Sequence, residues 1–186
     1  MVFICHNRRC YASAEDDHED RLLINSKMEE QAINILLVED DSVDVMNVQR
    51  AFKKNDISHP LHVAFNGVEA LHMLRGTHGK PKLSPLPRII LLDINMPKMN
   101  GIEFLREIRK DEELKSISVF VMTTSNDEQD KMEAYNLNVA GYILKPLSFD
   151  KFVHAVSILK DYWKLCEQPE NQTAVHLKQD DNRFFQ

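Results

Sequence analysis

Five side chains hold most of the chemical potential of this sequence: Glu39, Asp40, Asp93, Thr123 and Lys145. Each stands directly after an aliphatic run. Glu39 and Asp40 follow Ile33-Asn34-Ile35-Leu36-Leu37-Val38, Asp93 follows Ile89-Ile90-Leu91-Leu92, Thr123 ends the run from Ile117, and Lys145 follows Gly141-Tyr142-Ile143-Leu144. Carboxylates crowded into one crevice repel one another, and the stable remedies are protonation or a bound cation. Oxygen ligands in an open arrangement with room for water suit Mg²⁺, which demands octahedral geometry and dehydrates reluctantly. Such an ion draws a phosphate inward and neutralises charge on a transferring phosphoryl group. Lys145 adds a compact positive charge and the Thr123 hydroxyl a donor to a phosphoryl oxygen. With those groups aimed at it, Asp93 becomes a candidate nucleophile that forms an acyl phosphate. Read within its own segment, Asp93 is equally a turn cap, because Asp bonds its own backbone. What separates the two readings is whether the elements bring the five residues together.

The aliphatic runs are continuous rather than alternating, as expected of strands buried on both faces in a parallel sheet covered by helices. Between them lie helical patterns. Ser42 onward carries Val45, Val48 and Phe52 on one face and ends near Asn55; Leu61 to Phe65 is a short strand; Val68, Leu71 and Leu74 mark a second helix that stops at Gly76. A loop to Arg88 holds Gly79, Pro81, Pro85 and Pro87 and has no periodicity. Asn100 and Glu103 form a capping box for a helix whose Phe104, Leu105 and Ile108 face inward. The run Ile117 to Met122 is a strand, Ser125 with Glu128 caps the next helix, Val139 to Leu144 is the fifth strand, and the last helix runs from Ser148 to about Leu165. Strand and helix thus alternate in units of roughly thirty residues, the rhythm of a doubly wound α/β sheet. Right-handed crossovers put all the strand ends on one edge, where ligands gather in such sheets. That geometry makes one site of Glu39, Asp40, Asp93, Thr123 and Lys145.

Together, Glu39-Asp40, Asp93 in Leu-Leu-Asp-Ile-Asn-Met-Pro followed by Gly101, Thr123-Thr124-Ser125, and Lys145-Pro146 resemble the receiver domain of two-component response regulators, over residues from about Ile33 to Leu165. The resemblance implies a flavodoxin-like, five-stranded parallel sheet in the order 2-1-3-4-5. It implies Asp93 as phosphoacceptor, Asp40 as a direct Mg²⁺ ligand, Glu39 acting on the metal through water, and the backbone carbonyl of Asn95 as a further ligand. It also implies that Lys145 pairs with phosphoryl oxygens, that Thr123 moves to bond the phosphoryl group, and that Tyr142 swings inward with it. The Lys145-Pro146 bond is expected to be cis on the same ground. Glu39 stands where many receivers have Asp, and its longer arm still reaches through water. More narrowly, the proline-bearing loop, the Thr123-Thr124-Ser125 triplet and the Tyr162-Trp163 ending resemble stand-alone receivers found beside phytochrome-type histidine kinases. The partners implied are a histidine kinase and a downstream protein target, and no output domain is expected after Cys166.

The remaining features bound the alternatives. Net charge is −6 with no basic run, aromatic-interleaved basic stripe or zinc-finger spacing, which argues against direct nucleic-acid binding. Cys5, Cys10 and Cys166 are an odd count outside the patterned region, which favours a reducing cytoplasm over a disulfide framework. No apolar run approaches the roughly 18 residues of a spanning helix. The expected organisation is a poorly ordered extension over 1–31, a receiver domain over 32–166 and a polar tail over 167–186, with Met28 a possible natural start. Cys5, His6 and Cys10 match no structural zinc pattern. An aspartyl phosphatase or hydrolase needs a second acid, and Asn95, two places after Asp93, cannot serve; a flavin or nucleotide binder needs glycines that the acidic turn after the first strand lacks. In the last helix Phe149, Phe152, Val156 and Trp163 form the core stripe. Ala155, Ile158 and Tyr162 are surplus apolar surface, so homodimerisation through the fourth helix, fifth strand and fifth helix is a further expectation. The histidines at 59, 62, 72, 78 and 154 read as surface or edge residues.

Overall fold

The computed structural model describes residues 33–165. Cys5, His6, Cys10, the acidic run 15–20, Met28, Cys166 and the polar tail lie outside the described residues, as do both expected domain boundaries. Five strands alternate with five helices: β1 (Ile35–Val38), α1 (Ser42–Lys54), β2 (Leu61–Ala64), α2 (Gly67–Arg75), β3 (Ile89–Leu92), α3 (Gly101–Lys110), β4 (Ser118–Thr123), α4 (Glu128–Asn136), β5 (Gly141–Leu144) and α5 (Phe149–Leu165). The sheet is wholly parallel in the order β2-β1-β3-β4-β5, as the aliphatic runs predict.

Alternate residues of the central strands feed two cores. Leu36, Val38, Ile90, Leu92, Val119 and Val121 pack on one face with Leu71 and Leu74 of α2 and Phe104, Leu105 and Ile108 of α3. Ile35, Leu37, Ile89, Leu91, Phe120 and Met122 face the other way, onto Val45, Val48 and Phe52 of α1 and Phe152, Val156 and Leu159 of α5. All four β3 side chains are buried, each contributing about 1.5–3 kcal/mol of transfer free energy. This two-sided burial is why the runs do not alternate in polarity. Helix α4 is anchored differently, with Ala134 its one fully buried side chain. An element with so little buried surface sits at the low-stability end of a fold and moves at low cost.

The Asn100–Glu103 capping box forms as expected, with each side chain accepting from the other residue's backbone N–H. Two local expectations are corrected. The N-cap of α4 is Asp127, whose side chain accepts from Gln129 and Asp130, and not Ser125. Asp caps as well as Ser does, and the Ser125 hydroxyl is engaged instead with Asp130 at 2.9 Å. The Lys145–Pro146 bond is trans; the cis X–Pro bond among the described residues is Ser84–Pro85. The isomer preference of an X–Pro bond is only about 0.5–1 kcal/mol, too little for the residue pair itself to decide. Among the described residues, the histidines at 59, 62, 72, 78 and 154 are all at least partly exposed.

Candidate functional site

Sheet register carries the five residues to one edge. Val38 pairs with Leu92, so Glu39 and Asp93 emerge side by side, and the ladder continues past the strand ends as the Asp93 N–H donates to the Val38 carbonyl. Leu92 pairs with Val121 and Thr123 with Leu144, which places Thr123 and Lys145 on the adjoining stretch of the same edge. The Lys145 N–H donates to the Thr123 carbonyl at 2.8 Å. No long side chain has to cross the fold to assemble the crevice.

Ligand oxygens of Glu39, Asp40 and Asp93 all lie within 4.8 Å of one another; Glu39 and Asp93 are buried and Asp40 is exposed. Lys145 Nζ stands 2.7 Å from Glu39 Oε2, 2.7 Å from Asp44 Oδ2 and 3.5 Å from Asp93 Oδ1. Burial pushes the Glu39 carboxyl up to about 7, against the opposing hydrogen bond and charge of Lys145. Burial also pushes the Lys145 ammonium down, and the hydrogen bonds to Asp44 and Glu39 together with the Asp93 charge outweigh it, so Lys145 is held above the ordinary lysine range. One ammonium thus faces more negative charge than it can neutralise.

The two oxygens of Asp93 differ. Oδ2 accepts from the Asn95 backbone N–H at 3.0 Å, whereas Oδ1 is buried and has no hydrogen-bond partner. A buried carboxylate oxygen without a hydrogen bond costs free energy, and the Lys145 ammonium at 3.5 Å meets it by charge alone, which leaves Oδ1 with room for a further partner. The donor set around it, carboxylates with the backbone of Asn95 alongside, is of the hard oxygen type that a small divalent cation takes. The residues present therefore fit such an ion.

Two glycine- and threonine-level details complete the crevice. A Cβ on Gly101 would press against the Asp93 carbonyl oxygen and stand 2.9 Å from Ile94 Cα, so α3 can begin this close beneath Asp93 only with glycine there. Thr123 is fully buried, and its Oγ1 accepts from the Ser125 N–H at 3.1 Å. The Tyr142 hydroxyl donates to the Ser125 carbonyl at 3.1 Å, and burial raises its phenol. Ser125 therefore touches both residues named as a switch pair from the sequence.

All of Glu39, Asp40, Asp93, Asn95, Thr123 and Lys145 gather at this edge, with Tyr142 on the flank of the 123–127 loop. Sequence reasoning missed Asp44, on the first turn of α1 and 101 residues from the lysine it bonds. Its one sequence signal was an acid on the first helical turn after Glu39-Asp40-Asp41, a position that helix-dipole considerations alone explain.

Fold and crevice define a doubly wound α/β protein with an acidic, cation-compatible pocket at its strand ends. The chain belongs to the response regulator receiver domain family, whose sequence pattern matches residues 35–157. It is 38% identical over 129 residues to the response regulator Rcp1 of Synechocystis, covering 69% of this chain and 87% of that protein. To the probable methanogenesis regulatory protein FilR2 of Methanothrix harundinacea it is 39% identical over 129 residues, covering 69% of this chain and 82% of the relative. Among solved structures, the phosphorylated cyanobacterial phytochrome response regulator RcpA superposes with a TM-score of 0.67 at 33% identity, covering 74% of this chain and 99% of that one. The Mn²⁺-bound form of Rcp1 gives 0.65 at 34% identity with the same coverage. Among the described residues no helix is long and apolar enough to cross a membrane.

Proposed function

We propose that this receiver is a single-domain response regulator, spanning about 32–166, that accepts a phosphoryl group on Asp93 from a histidine kinase and signals by protein contact. The observation that carries the reading is the buried Asp93 Oδ1, which lacks a hydrogen-bond partner while an ammonium stands 3.5 Å away. In the transfer, a bond forms between an Asp93 carboxylate oxygen and phosphorus as the phosphorus–nitrogen bond of the donor phosphohistidine breaks, and the imidazole leaves neutral, with one proton taken from solvent. Asp40, Asp93 and the Asn95 carbonyl would hold a divalent cation, Mg²⁺ in this reading, with Glu39 acting through water, and such an ion would supply charge neutralisation to the transferring group. Lys145 binds phosphoryl oxygens, and the Thr123 hydroxyl exchanges its contact with Ser125 for one of them. That exchange frees the Ser125 backbone, to which Tyr142 is also bonded, so Tyr142 turns inward and the loop and α4 follow. The protein acts on its own Asp93 alone, in the cytoplasm, and is not an enzyme toward other substrates. Likeness to RcpA and Rcp1 supports a phytochrome-type kinase as donor.

Acetyl phosphate with Mg²⁺ tests the reading. Stoichiometric phosphoryl uptake is expected, read by intact mass or radiolabel. Chelation with EDTA should slow it by at least about a hundredfold, the scale of losing a cation's charge stabilisation. Uptake unaffected by EDTA would contradict the cation's role.

Exposed Met132 and Tyr135 on α4, Leu144 at the end of β5, and Ile158 and Tyr162 on α5 favour a second element of the proposal, homodimerisation through this face. Light scattering over a concentration series should show the mass rising toward twice that of the chain, more so with beryllofluoride. A constant monomer mass under both conditions would exclude the dimer.

A further inference from the structure

Asp44 is a carboxylate that bonds the site lysine from outside the cation-compatible cluster. Its Oδ2 lies 2.7 Å from Lys145 Nζ, as close as the nearly inaccessible Glu39 and closer than Asp93 Oδ1 at 3.5 Å. Asp44 is absent from the group of carboxylates whose oxygens converge for a metal, which comprises Glu39, Asp40 and Asp93. A lysine ammonium has three donors. Two are committed here at 2.7 Å, to Glu39 and Asp44, and the distance to Asp93 is already at the outer limit of a hydrogen bond. A phosphoryl group on Asp93 adds nearly two negative charges and three acceptor oxygens; the third ammonium donor can meet one of them, and any further bond has to be taken from Glu39 or Asp44.

We propose that Asp44 is a positioning residue that holds Lys145 in the unphosphorylated arrangement and gives it up to the phosphoryl group. This rests on the phosphoacceptor reading of Asp93 above. Its location suits the task. Asp44 lies on the first turn of α1, where the helix dipole favours a carboxylate whether or not it is paired, so releasing the lysine leaves a tolerated anion behind. Its side chain is 30% exposed against 3% for Glu39, so water solvates Asp44 after release but could not reach Glu39 as easily. Of the two carboxylates bonded to Lys145, Asp44 is thus the one that exchanges, and Glu39 the one that stays.

Beryllofluoride with saturating Mg²⁺, titrated into the full chain by a change in intrinsic fluorescence or by calorimetry, tests the exchange at equilibrium. In Asp44→Asn, which loses the charge and keeps the shape, affinity should tighten roughly three- to tenfold, the scale of one partly exposed charge-assisted hydrogen bond. Asp44→Glu should return to within about twofold of wild type. Asp41→Asn is the control: it removes an equal charge from the same helix start, Asn caps as well as Asp does, and Asp41 bonds Val43 rather than Lys145. It should leave affinity unchanged. Equal tightening in Asp41→Asn, or unaltered or weaker affinity in an Asp44→Asn protein with wild-type thermal unfolding, would overturn the role of Asp44. Failure of wild type to bind beryllofluoride, or undiminished binding by Asp93→Asn, would instead overturn the phosphoacceptor reading and Asp44's role with it.

Discussion

Asp93→Asn is expected to take up no phosphoryl group from acetyl phosphate or a phosphohistidine donor while folding as wild type does. Replacing the carboxylate by an amide removes the nucleophilic oxygen anion and one of the three carboxylates that converge at the strand ends. The fold should survive, because the amide keeps the shape and its carbonyl oxygen still accepts from the Asn95 N–H, as Oδ2 does now. Removing a buried negative charge also relieves repulsion with Glu39, whose carboxyl the Asp93 charge helps to raise. Thermal stability in the absence of divalent cation is therefore expected to hold or to rise by up to about 1–2 kcal/mol, a gain of a few degrees in Tm. Uptake is measured by intact mass, stability by calorimetry. Residual uptake at the wild-type rate would show that the phosphoryl group goes elsewhere.

Gly101→Ala is expected to have the second-largest effect, and through packing rather than charge. The added methyl would collide with the carbonyl oxygen of Asp93 itself and crowd Ile94 Cα, and backbone cannot rotate aside as a side chain tip can. Both neighbours are fixed: Asp93 N–H by Val38, and the Gly101 N–H by the Ile94 carbonyl at 2.9 Å. Overpacking of this kind costs typically 1–3 kcal/mol, offset in part by alanine's better helix propensity of about 1 kcal/mol. A net loss of up to about 2 kcal/mol, or up to about 4–8 °C in Tm, is the expectation. Whatever relief the structure finds moves Asp93, so phosphoryl uptake should fall at least about tenfold even at temperatures where the variant is folded, since a misplacement near 1 Å is enough. A variant with normal Tm and normal uptake would show that α3 retreats freely from the crevice.

Much of this architecture is legible without coordinates because its determinants are local or topological. Ile89-Ile90-Leu91-Leu92 is the kind of run found in covered parallel sheets, the alternation of strands with helices selects that architecture, and a parallel doubly wound sheet has one edge at which Glu39, Asp93 and Lys145 can meet. The capping box at Asn100 and Glu103 is likewise a matter of spacing. What escaped the sequence depends on differences that are small or long-range. Ser125 and Asp127 are comparable caps two residues apart, and only the competing bond from Ser125 to Asp130 decides between them. The isomer at Lys145–Pro146 turns on about as little free energy as a single net hydrogen bond. Asp44 reads as an ordinary first-turn acid until the rotation of α1 about its own axis aims it at Lys145, and that rotation is set by Val45, Val48 and Phe52 packing onto the sheet and α5.

The most direct measurement is to locate the phosphoryl group chemically. After reaction with acetyl phosphate and Mg²⁺, borohydride reduces an aspartyl phosphate to homoserine, and peptide mass spectrometry reads the position. Homoserine at 93 and at no other carboxylate is the predicted result. Homoserine at Asp40 or Asp44 instead, or a phosphoryl group found on a hydroxyl side chain with Asp93 unmodified, would contradict the account at its centre.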